Sequence, residues 1–124
     1  MANSKVRRGC LDSGLIDISE NIVNERLSLN ENGYIKYKVI NDICYVTIWR
    51  VSFTENARGM GSDAAIISGL PKAKMQRIMW LPTSGSTAVA HSITIYANQT
   101  EIKTNQTSDT DSVIYFSFDY PVDY

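Results

Sequence analysis

The chain has 124 residues, 44% of them hydrophobic and 20% charged, with a formal net charge of -1. That is the size of one compact domain, too apolar for disorder and too short for two cores of ordinary size. The near-neutral balance gives no electrostatic pull toward nucleic acid, and the apolar runs are far shorter than the ~20 residues that span a bilayer, so neither nucleic-acid binding nor membrane insertion is expected.

Residues 1–14 are polar and basic, with Lys5, Arg7, Arg8, Gly9 and Gly14, and read as a tether without the apolar stretch of a cleaved secretion signal. Asp17 followed three residues later by Glu20 forms a capping box, and Ile18, Ile22, Val23 and Leu27 recur at helical spacing, which predicts a short helix. A strand over residues 26–29 competes with it. Either way, this segment is expected to be a connector or a first edge element, with residues 1–32 a tether or connector and residues 33–124 the folded domain.

From Gly33 the hydrophobic period changes to two. Ile35, Tyr37 and Val39 alternate with Tyr34, Lys36 and Lys38, the pattern of a half-buried strand with a lysine-bearing outer face. Asn41-Asp42, both tolerant of positive φ, make the turn. In the following run, residues 43–53, Ile43, Tyr45, Trp49, Val51 and Phe53 share one face and Cys44, Val46 and Ile48 the other. Its first half is apolar on both sides, so it is expected to lie between two layers or against a partner subunit.

Further strands are predicted over residues 64–70, ended by Pro71, and 75–81, closed by Pro82. Residues 88–97 and 101–104 follow, with polar or glycine-bearing loops at 54–63, 83–87 and 105–111. A last aromatic strand, 113–120, places Ile114, Phe116, Phe118 and Tyr120 on one face. Strands at this spacing indicate an all-β, antiparallel sandwich or jelly roll.

The residue supply for chemistry is thin. His91 is the single histidine and falls on a predicted apolar strand face, so it reads as structural. Cys10 and Cys44 are read as free thiols; with one histidine they assemble no metal site, and no cofactor is expected. Gly59-Met60-Gly61-Ser62 lacks the lysine and helix of a phosphate cradle. The carboxylates Asp109, Asp111, Asp119 and Asp123 read as solvated turn residues rather than an acid/base pair. No enzyme activity is expected, and binding remains. Trp49, Trp80, Tyr45, Tyr96 and Tyr115 lie on strands, where core or subunit packing is the plain reading. Tyr34, Tyr37, Tyr120 and Tyr124 sit at strand or chain ends and are expected to be partly exposed. The ligand-contact candidates are Tyr34, Tyr37 and Trp80 with Asp109 and Asp111.

Several short motifs carry a family resemblance. Gly33-Tyr34-Ile35-Lys36-Tyr37, then Ile43-Cys44-Tyr45-Val46-Thr47-Ile48, Ile66-Ile67-Ser68-Gly69-Leu70-Pro71 and Ile114-Tyr115-Phe116-Ser117-Phe118-Asp119-Tyr120 resemble the C-terminal domain of bacteriophage tail-fibre, baseplate and minor tail proteins. Lys72-Ala73-Lys74 departs from the apolar continuation of that family. The resemblance implies a homotrimeric jelly-roll-like knob at the tail tip or baseplate of a virion. It would attach to a bacterial cell-surface glycan or surface protein, with the N-terminus joined to other phage tail proteins. It also admits a structural trimerisation or capping domain without a ligand, and an enzyme that modifies polysaccharide.

Overall fold

The computed structural model describes residues 12–24, 27–53, 64–81, 83–84, 91–104 and 113–123. They form two antiparallel sheets, as the alternation predicts. The first has the order β1 (Ile16–Asp17), β2 (Leu27–Ile40), β3 (Ile43–Phe53), β9 (Val113–Pro121), β6 (Thr83–Ser84). The second has the order β4 (Ala64–Ile67), β8 (Ile102–Thr104), β7 (His91–Ile95), β5 (Arg77–Leu81). One apolar core joins them: Ile35, Cys44, Val46, Ile48 and Tyr120 from the first sheet meet Ile66, Ile67, Ile93, Ile95 and Ile102 from the second. Each such isoleucine contributes about 1.5–3 kcal/mol through burial. The fold is a β-sandwich.

The hairpin β2–β3 closes on Asn41 (φ 53°) and Asp42 (φ 64°), with Ile40 paired to Ile43. Two consecutive positive φ values match the twist of the flanking strands, and glycine is favoured at the second position. Asp42 also carries a buried Oδ1 with no hydrogen-bond partner. Asp42→Gly removes that oxygen and keeps the backbone carbonyl that accepts from Val122 N–H. A gain of about 0.5–1 kcal/mol is expected, read as a higher urea midpoint.

Residues 12–24 pack on the sandwich, as the first-edge alternative has it. Asp17 and Ile16 pair with Lys36 and Tyr37 at the edge of the first sheet, and Ile18 is buried in the core. The chain then makes a single 3-10 turn, Ser19–Asn21, where a short helix was one expectation. It crosses to the second sheet, where Val23 N–H donates to the Ile66 carbonyl and Ser68 N–H to that of Asn21. The apolar spacing that imitates a helix reflects this crossing: Ile18 fills the core and Ile22 bridges to Ile67. The competing strand reading is the one observed, and β2 begins at Leu27, before the boundary expected at Gly33.

The other edges are joined in a similar way. β5 ends at Leu81 in the second sheet and β6 begins at Thr83 in the first. The chain thus passes from one sheet to the other at both sides of the sandwich.

The Ser68-Gly69-Leu70-Pro71 motif is architectural. Strand β4 stops at Ile67, ahead of the proline expected to end it, because Gly69 turns the chain at φ 78°. Asn21 Nδ2 donates to the Ser68 carbonyl, Leu70 is buried, and the Pro71 carbonyl accepts a 2.8 Å hydrogen bond from the Tyr120 hydroxyl. Tyr120, expected to be partly exposed, is fully buried, with Cys44 beside it. Stacking of Phe116, Phe118 and Tyr120 along β9 continues that inner face.

Candidate functional site

The three central strands of the first sheet are in register, so the residues opposite the core form ordered rows. Antiparallel partners lie on one face of a sheet. The first row is Tyr34–Trp49–Tyr115, the second Lys36–Thr47–Ser117 and the third Lys38–Tyr45–Asp119. Asp17 on β1 extends the second row beside Lys36.

Three of these aromatics are open to solvent: Tyr45 is 43% exposed, Trp49 41% and Tyr115 37%. Trp49 and Tyr115 meet edge to face, with centroids 4.7 Å apart and planes at 79°, and so form a corner of two aromatic walls. Lys36 Nζ lies 4.5 Å from the centroid of the Tyr34 ring, in reach of a cation–π attraction. The Ser117 hydroxyl donates to Thr47 Oγ1 at 3.4 Å, and Arg77 Nη2 stands 3.6 Å from Asp119 Oδ1. The Ser19 hydroxyl and backbone N–H donate to Asp17 Oδ1 and hold that carboxyl below its ordinary range, with Lys36 adding to the effect.

A bulge holds the aromatic row in place. On β3, Trp49 pairs with Tyr115 and Val51 with the adjacent Ile114, so Arg50, at φ 56°, is the extra residue. The bulge reverses the face of everything after it, and Val51, expected beside Tyr45 and Trp49, is buried in the core instead. The first half of β3 is not buried on both sides within this chain, since Tyr45 stands open on the outer face. On β2 the matching irregularity lies between Leu29 and Tyr34, where Gly33 passes against the backbone of Trp49 and Arg50.

Of the residues expected to contact a ligand, Tyr34 lies on the outer face next to Trp49. Tyr37 does not: it shares the inward parity of Ile35 and Val39 and packs, partly buried, against the core. Strand β5 carries Trp80 opposite Ser92, but its side chain lies outside the described residues, as do Asp109 and Asp111. Trp49, Tyr115 and Tyr45, expected in core or subunit packing, are the exposed aromatics among the described residues and stand outside this chain's own core. Their signal in the sequence is parity, because Thr47 between Tyr45 and Trp49, and Ser117 between Tyr115 and Asp119, mark a wet face.

No protein-family model matches the chain, and no curated protein matches it. Among solved structures, the receptor-binding head domain of lactococcal phage bIL170 matches with a TM-score of 0.59 over 87% of this chain and 96% of that domain, at 15% sequence identity. The two share a fold. The correspondence takes in nearly the whole of the phage head domain.

Proposed function

We propose that this chain is a receptor-binding head domain of a bacteriophage tail that attaches the virion to a saccharide on the bacterial surface, without catalysing a reaction. The observation that carries the reading is the fold shared with a phage receptor-binding head domain over almost the full length of both. The row Tyr34–Trp49–Tyr115, with Trp49 and Tyr115 exposed and the row Lys36–Thr47–Ser117 beside it, supports a saccharide, since sugar rings stack on aromatic faces while polar neighbours bond their hydroxyls. On this reading the head is a homotrimer at the tail tip, joined through its N-terminus to other tail proteins.

The test is fluorescently labelled protein applied to a panel of bacterial strains, lactococci included. Labelling of a subset of strains that periodate removes and protease treatment of the cells does not is the expected result. The reverse pattern would replace the saccharide by a surface protein, and no labelling of any strain would overturn the receptor-binding role. Light scattering should give three times the 13.9 kDa chain mass.

A further inference from the structure

Building on the receptor-binding reading, we infer that the outer face of strands β2, β3 and β9 is the saccharide site, and that it takes an internal run of a polysaccharide carrying acidic groups. The face is a platform and has rows of contacts along it. Successive same-face residues on a strand are about 7 Å apart and strands about 5 Å apart, so the three rows cover about 13 Å by 10 Å, the length of about two to three hexopyranose units. A terminal sugar would leave the Lys38–Tyr45–Asp119 row without a contact whenever it stacked on the Tyr34–Trp49–Tyr115 row.

Charge selects the occupant. Among the described residues the face carries the cations Lys36 and Lys38 and the carboxylates Asp17 and Asp119, and Arg77 of β5 reaches Asp119 from the second sheet. Arg77 stands against Asp119, and Asp17 is held by Ser19 with Lys36 beside it. Among the described residues Lys38 is left as surplus positive charge at one end of the aromatic platform, which suits a carboxylate or phosphate on a chain whose rings stack on Trp49 and Tyr115. A second copy of this chain fits less well: interface cores are depleted in charged residues, and here lysines, an aspartate and two hydroxyls alternate with the rings throughout.

The experiment uses polysaccharide stripped from a strain that the protein labels, fragmented and separated by size. The fragments compete for cell binding by wild type, Trp49→Ala, Tyr115→Ala and Lys38→Gln, each first checked for unchanged urea unfolding. Competition by the wild type should rise about tenfold or more from one sugar unit to three and then level off. Trp49→Ala should weaken cell binding about 30-fold, and Lys38→Gln should reduce its dependence on salt. Single sugars competing as well as trimers would overturn the extended site. Full binding by folded Trp49→Ala and Tyr115→Ala would overturn its location while leaving the receptor-binding role intact; a wild type that labels no strain defeats that role itself.

Discussion

Gly33→Ala should lower the melting temperature by about 10 °C, corresponding to a loss of about 2–3 kcal/mol. A methyl group at this position would stand 2.5 Å from the Arg50 carbonyl oxygen, 2.9 Å from that of Asn30 and 3.0 Å from that of Trp49. All three are backbone atoms at the paired bulges of β2 and β3, so none can rotate away as a side-chain tip does. Alanine ordinarily gains about 0.4–1 kcal/mol over glycine by restricting the unfolded chain, and the clash outweighs that gain. Gly14→Ala is the control. Its φ of 73° disfavours a side chain but no atom lies within 4 Å, so a cost of only about 1–2 kcal/mol is expected. Equal losses in the two variants, measured by thermal and urea unfolding, would show that crowding at Gly33 is not the cause. Because the bulges align Tyr34 with Trp49, Gly33→Ala should also weaken cell binding more than its stability loss accounts for.

The second large effect is alkaline unfolding. Burial pushes the Cys44 thiol up from 9.0 to about 11, and burial, with Cys44 beside it, raises the Tyr120 phenol above its ordinary 10.0. Both groups keep their protons longer in the folded chain than in the unfolded one. Their contribution is therefore intact below pH 9 and is lost as pH climbs through the folded values. For the thiol alone the loss is about 3 kcal/mol, taken mostly between pH 9 and 11. Urea unfolding at a series of pH values should show this decline in the wild type and a shallower one in Cys44→Ala. An identical slope in that variant would remove the thiol from the explanation. Tyr120→Phe should flatten the decline above pH 10 and cost about 1–3 kcal/mol at neutral pH, because the Pro71 carbonyl loses its donor.

Alternation made the architecture legible. The β2–β3 hairpin, its Asn41-Asp42 turn and the inward face of β9 all follow from period-two patterning over residues 33–53 and 113–120. What patterning misses is a change of phase. Arg50 has no feature that marks it as a bulge, so Val51 reads on the same face as Trp49 when it lies opposite. The N-terminal segment fails for a related reason: a chain that leaves one sheet for another places its apolar residues at spacings that imitate a helix. Parity alone could have exchanged Tyr37 for Trp49 and Tyr115 in the candidate site, because Tyr37 alternates with the buried Ile35 and Val39. An aromatic residue on a strand is equally at home in a core and on an exposed face, and only its polar neighbours two positions away separate the cases.

The strand order of the first sheet also governs when this protein can fold during synthesis. β3 lies between β2, its hairpin partner, and β9, some 60 residues further on, and residues that cross between the sheets precede β2. Until Pro121 has left the ribosome, β3 has one open side and the aromatic row lacks Tyr115. Folding of this domain therefore waits for β9 to emerge, with pairings between segments far apart in sequence of the kind that form slowly.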